Sequence, residues 1–151
     1  MPAPTITLLP ATSCDFDSLA DLRVSAMRAS LESLGRFDPV RARARLADGF
    51  SASCTSHVVV NGERVGFVVL RRHDDHLLLD HLYFWPSHQG KGYGSQVLAR
   101  VFAQADAQGK PVRVGALKGS RSNEFYRRHG FELVGAGEWD NYYVRAPLRP
   151  A

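Results

Sequence analysis

Cysteine is scarce in this chain: Cys14 and Cys54 are the only two in 151 residues. They show neither metal-ligand nor redox spacing, and the reading they support is two reduced thiols. No apolar run approaches the eighteen or so residues of a membrane span. The first residues, Met1, Pro2, Ala3, Pro4, Thr5 and Ile6, hold no basic stretch followed by an apolar one, so no secretory leader is expected. Repeats, linkers and low-complexity segments are missing too. Neither sign of charge dominates: 19 Lys and Arg against 15 Asp and Glu leave a net charge of +4. That balance favours an anionic small molecule without implying nucleic acid. Arg41, Arg43 and Arg45 do not change this. At roughly 100° per helical residue they spread around a helix, as on a solvated surface. His73, His76 and His81 fall across a turn and a strand and lack a cysteine cluster, so no metal site is expected.

What is present fits one compact cytoplasmic domain. A chain of 151 residues has the common single-domain size. A domain of that length buries roughly 70% of its unfolded surface. Hydrophobic content of 44% and charged content of 23% are ordinary for a soluble globule.

Punctuation and period give the order of elements. Residues 5–9 alternate and stop at Pro10, a first strand. Residues 15–34 form a helix with Ala20, Val24, Met27, Leu31 and Leu34 as its apolar stripe, ended by Gly35. Asp38 followed by Pro39 starts a second helix, with Val40, Ala44 and Ala47 inward. Residues 57–60 and 65–70 flank Asn61-Gly62, a hairpin signal. Residues 77–85 read as a central strand covered on both faces. A helix with Val97, Leu98, Val101, Phe102 and Ala105 on one side follows, then a strand over 112–117. The connection from 77–85 to 112–117 predicts a parallel crossover. Residues 131–134 and 142–145 close the sheet around a turn or bulge at Gly135, Ala136 and Gly137. The fold class is α/β, a mixed sheet of six or seven strands with about four helices.

The segment with the clearest chemistry is Gln89, Gly90, Lys91, Gly92, Tyr93, Gly94 and Ser95, between that central strand and the next helix. Glycines at alternate positions let backbone turn sharply and approach a ligand. The helix start adds unpaired N–H groups and the positive end of the helix dipole. Together they suit a pyrophosphate. A P-loop is excluded, since no Gly-Lys-Ser/Thr follows at the required spacing. The dinucleotide fingerprint is excluded too, because the spacing is Gly-x-Gly-x-Gly.

The segment resembles the pyrophosphate loop of the GNAT acetyltransferases, Gln/Arg-x-x-Gly-x-Gly/Ala, with Gln89, Gly92 and Gly94 in its places. A second stretch, Phe125-Tyr126-x-x-x-Gly130-Phe131, is similar to that family's second signature. Many members carry an Asn about seven residues before the Tyr. This chain has Gly119 there and Asn123 three before Tyr126. The likeness runs from about residue 15 to 143.

The resemblance implies a GNAT-like domain over the chain that moves an acetyl group from acetyl-CoA to a primary amine by direct attack. Cofactor contacts would come from residues 89–95, from Asn123, and from the backbone of Leu82, Tyr83 and Phe84, which also supplies donors for the oxyanion. Tyr126 would protonate the leaving thiolate. Asp80 interrupts an apolar strand, where an unpartnered carboxylate is costly. It is the first candidate for general base, with His81 behind it. A relay through ordered water is a third route. Arg36, Phe37, Trp139 and Asp140 would border the acceptor, although Phe37 and Trp139 also suit a core. The acceptor is a small-molecule or peptide amine; neither nucleic acid nor membrane is expected as partner, and a homodimer stays open. The alternatives are another acyl group, a hydroxyl acceptor, or a non-catalytic acyl-CoA sensor that regulates a partner.

Overall fold

The computed structural model describes residues 4–148. Seven strands form one mixed sheet in the order β1-β2-β3-β4-β5-β7-β6, and four α-helices accompany them. The strand and helix numbers match the sequence expectation. The chain divides into two compact units. One runs to Val69 and takes in His81–Tyr93; the other holds Leu70–Asp80 and the chain from Gly94 on.

In the first unit, β1 (Thr7–Pro10) runs antiparallel to β2 (Thr55–Val60), with Leu9 opposite His57. Helix α1 (Phe16–Ser33) ends in a double backbone closure: Gly35 N–H donates to Glu32 O and Arg36 N–H to Leu31 O. Gly35 has φ of 65°, the left-handed value this motif needs, as its position after a helix predicts. Helix α2 (Pro39–Ala47) starts on Asp38, whose carboxylate accepts from Val40 N–H and Arg41 N–H.

The inner faces of both helices differ from expectation. On α1 the buried residues are Leu19, Ala20, Leu22 and Arg23, while Leu34 is exposed and Val24, Met27 and Leu31 are half-buried. On α2 Ala42 and Leu46 are buried, and Val40, Ala44 and Ala47 face solvent. The core they build joins Leu19, Ala20, Leu22 and Leu46 to Phe67 and Val69, with Phe50, Tyr83 and Trp85 packed beside it.

Strands β2 and β3 (Glu63–Arg72) form the expected hairpin. Both turn residues take positive φ, Asn61 at 50° and Gly62 at 79°, the signature of a type I′ turn. Asp15 ties this hairpin to the start of α1. It pairs with buried His57 at 3.0 Å and with Arg64 at 3.3 Å. Hydrogen bonds from His57 and from Thr12 N–H hold its carboxyl well below the usual carboxylate range.

Strand β4 (Leu77–Phe84) alternates rather than being uniformly enclosed: Leu77, Leu79 and His81 are buried, and Leu78, Asp80 and Leu82 are half-buried. In the second unit its first residues pair in parallel with β5 (Val112–Leu117), Leu77 opposite Val112. Helix α3 (Tyr93–Gln108) buries Val97, Leu98, Val101 and Ala105, four of the five residues in the expected stripe; Phe102 is half-buried. β7 (Asp140–Arg145) lies antiparallel between β5 and β6 (Glu132–Ala136); the register shifts between Leu133 and Gly135, ahead of the expected break, and Gly135 and Ala136 pair within the strand. Arg145 is buried and forks onto Asp106 at 2.7 and 3.2 Å. Those bonds and the Leu148 N–H lower the Asp106 carboxyl from its ordinary value.

Candidate active site

The turn after β4 is built in three steps. A 3-10 turn, Pro86–His88, reverses the chain. Gly90 and Gly92 then take φ of 74° and 83°, and α3 begins at Tyr93. Nothing lies within 4 Å of where a Cβ would stand at either glycine, so the turn presents open backbone. An L side chain there would strain the chain rather than collide with a neighbour. Gly94 differs, because it is already helical. The first turn of α3 carries N–H groups without intrahelical acceptors. Open backbone, a helix start and exposed Lys91 fit a pyrophosphate.

Two side chains of the predicted cofactor set brace the protein. Gln89 Nε2 donates to Phe84 O at 3.1 Å, which locks the turn onto the end of β4. Tyr93 is buried and packs its ring 6.3 Å from that of Phe84. Leu82, Tyr83 and Phe84 are half-buried at that strand end. Gly66 of β3 lets it sit close: a Cβ there would lie 2.5 Å from both Tyr83 O and Phe84 Cδ1.

Ser95 and Asn123 belong to the second unit. Ser95 Oγ stands 2.9 Å from His129 Nε2, while His129 Nδ1 is 2.7 Å from Phe125 O. A carbonyl only accepts, so Nδ1 is the donor to Phe125 O. His129 was not a candidate in the sequence, since nothing local pairs it with a serine 34 positions away. Asn123 sits in α4 (Ser122–Arg128). Its amide donates to Leu117 O and Ser120 O at 2.9 and 3.0 Å. Its carbonyl accepts from Asn141 Nδ2 at 2.9 Å and Tyr143 OH at 2.8 Å. With a longer contact of 3.4 Å from Nδ2 to Ser120 Oγ, those bonds fill an amide's capacity. Asn123 therefore braces β5, α4 and β7. Tyr126 is buried on the same helix, edge-on to Phe125 and Phe131.

Asp80 and His81 are neighbours in sequence, and strand pleating turns them to opposite faces. The Asp80 carboxylate accepts from Arg71 Nε at 2.9 Å, which accounts for a charge in this strand. His81 shares the buried face with Tyr83, ring centroids 5.8 Å apart, and with Phe67 at 6.4 Å. Arg45 Nη1 lies 3.4 Å from His81 Nε2. Of the residues expected around an acceptor, Phe37 is half-buried under the Arg28 guanidinium and Trp139 is 43% exposed. No group of three metal-ligating side chains occurs among the described residues.

A family model described as an acetyltransferase (GNAT) domain matches residues 53–133, more than half of the chain. The chain belongs to the GNAT acetyltransferase family. Acyl transfer is thus its general activity. Solved acetyltransferase structures share the fold. The PaiA N-acetyltransferase of Thermoplasma acidophilum, crystallised with coenzyme A, is 14% identical; the match covers 94% of this chain and 99% of that one at a TM-score of 0.76. An acetyltransferase of Thermus thermophilus is 22% identical over 97% and 99%, with a TM-score of 0.74. N-acetylglutamate synthase of Neisseria gonorrhoeae, solved with coenzyme A and N-acetyl-glutamate, is 20% identical at a TM-score of 0.67; 95% of this chain covers 35% of that one. These identities establish the fold alone. No curated protein gives a match. No helix among the described residues is long and apolar enough to cross a membrane.

Proposed function

We propose that this GNAT protein transfers an acetyl group from acetyl-CoA to a primary amine. The observation that carries the reading is the turn after β4, where Gly90 and Gly92 take left-handed φ at the start of α3. Acetyl-CoA would supply the activated thioester. Its pyrophosphate would meet the open backbone of residues 90–95, with Gln89 fixing the turn rather than touching the ligand. Coenzyme A in the crystallised PaiA and N-acetylglutamate synthase supports the choice of cofactor.

Backbone N–H groups at Leu82, Tyr83 and Phe84 are assigned to thioester alignment and the developing oxyanion. Tyr126 is assigned to protonation of the leaving sulfur. An amine acceptor is mainly ammonium at neutral pH, with pKa near ~10.4 for a lysine-like group, and must lose a proton first. Only one of Asp80 and His81 can serve one face of β4. We assign the role to His81, which shares its face with Tyr83, while Asp80 is held by Arg71. Loss of turnover in Asp80→Asn with full activity in His81→Gln would return the role to Asp80.

Calorimetry with acetyl-CoA tests the site. Gly92→Val meets no steric neighbour yet strains a left-handed residue. Losing one charge-assisted contact of ~1.5–3 kcal/mol should weaken binding by about ten- to a hundredfold in folded protein. Parental affinity in that variant would remove the pyrophosphate from this turn.

A further inference from the structure

Arg23 lies on the inner face of α1, among Leu19, Ala20 and Leu22, and is only 7% exposed. Its Nη1 donates to Ala42 O at 2.7 Å, and its guanidinium carbon stands 5.4 Å from the centre of the Tyr83 ring. Nε is buried without a hydrogen-bond partner. No carboxylate among the described residues pairs with this cation. His57 in the same unit has Asp15, and Asp15 also has Arg64.

Burying a guanidinium costs more than one neutral carbonyl and one aromatic face return. If Arg23 only tied α1 to α2, an apolar side chain would do so at less cost. The edge of the guanidinium that includes Nε is the edge suited to a two-oxygen anion, since arginine's donors form a planar fork. Its position gives the anion a context. Tyr83, whose ring lies beneath Arg23, belongs to the strand end assigned to thioester alignment.

We infer that Arg23 binds a carboxylate of the acceptor, which makes the acceptor a primary amine that also carries a carboxylate, as an amino acid does. This rests on the transferase reading above and names the substrate class. The carboxylate would accept two hydrogen bonds from the Arg23 fork while the amine reaches toward the end of β4. Arg23 is a binding residue in this account, with no part in bond making.

The test pairs acids with carboxamide counterparts whose amines have similar basicity: 4-aminobutyrate with 4-aminobutanamide, 5-aminopentanoate with 5-aminopentanamide, and 6-aminohexanoate with 6-aminohexanamide. Thiol release from acetyl-CoA gives kcat/KM for each. The acids should exceed their counterparts by about tenfold or more, chiefly through KM, the effect of one charge-assisted pair. Arg23→Met should erase that ratio and leave Tm without acceptor unchanged or higher. A structural role predicts the opposite: a lower Tm with the ratio intact. Arg23→Gln removes the charge while keeping a polar side chain, and gives the same comparison if the methionine variant does not fold. Equal rates for acids and neutral amines, or a preference that survives both substitutions, overturns the assignment while transferase activity stands. If no amine is acetylated, the transferase reading falls and calorimetry of the three acids judges Arg23 by itself. Saturable binding lost in Arg23→Met upholds the carboxylate site, and no binding to the parent overturns it.

Discussion

Asn123→Ala should unfold this protein more easily without touching its affinity for acetyl-CoA. The side chain donates to Leu117 O and Ser120 O, with a longer contact to Ser120 Oγ, and accepts from Asn141 Nδ2 and Tyr143 OH. Each such bond is worth about 1 kcal/mol net. Their partners do not lose equally. Asn141 is half-buried and can turn toward water, which returns part of its share. Tyr143 is 0% exposed, so its hydroxyl stays buried without an acceptor. That penalty is about 1–3 kcal/mol by itself. The expected total is about 2–4 kcal/mol, a large fraction of a typical 5–15 kcal/mol stability. Urea denaturation at constant m-value measures it, and calorimetry at low temperature measures acetyl-CoA binding to the folded variant. The account predicts affinity within about twofold of the parent. Unchanged stability with affinity reduced tenfold would refute the reasoning and make Asn123 a ligand contact, as the family likeness first implied.

Gly66→Ala should cost about 1–3 kcal/mol by overpacking and weaken acetyl-CoA binding, because its Cβ would meet Tyr83 O and Phe84 Cδ1 at 2.5 Å. A neutral thermal melt with parental affinity would show that the strand end yields freely. Tyr126→Phe keeps the ring among Phe125, Phe131 and Tyr143. If the hydroxyl protonates the thiolate, turnover drops by roughly 10²-fold or more. A small rate effect with unchanged Tm removes that role. Asp15 has a folded-state pKa below its unfolded value of about 3.9, so its ionised form adds stability above that pH and loses it as pH falls through the folded value. Asp15→Asn should be less stable than the parent at neutral pH, and the difference should close progressively below about pH 4. A constant difference from pH 7 to about pH 2 would contradict the His57 and Thr12 contacts as the cause.

Local chemistry made much of the fold legible. Asn61-Gly62 dictates a tight hairpin because few other pairs tolerate two positive φ values. Asp38-Pro39 and Gly35 set helix boundaries through backbone groups a few residues away. The inner face of α2 was hidden for the opposite reason. Its candidates are mostly alanines between arginines, too weak an apolar signal to choose between Ala42 with Leu46 and Val40 with Ala44 and Ala47. Tertiary docking chose the former. In the site, the glycine turn was readable as a spacing. Asn123, His129 and Arg23 were not readable in their observed roles. Asn123 acts through partners 18 and 20 residues downstream, and His129 through a serine 34 residues upstream. Arg23 breaks an apolar face, so periodicity alone points away from it. Asp80 and His81 could be found as polar interruptions, but their opposite facing follows only once the strand's pleat is fixed.

Free-thiol release from acetyl-CoA, followed with purified protein across a panel of primary amines, tests the central claim most directly. The account predicts thiol release that requires protein, acetyl-CoA and an amine together, with mass spectrometry finding the acetyl group on the amine nitrogen. Saturable acetyl-CoA binding with no amine-dependent release across the panel would contradict it and leave an acyl-CoA-binding module in place of an N-acetyltransferase.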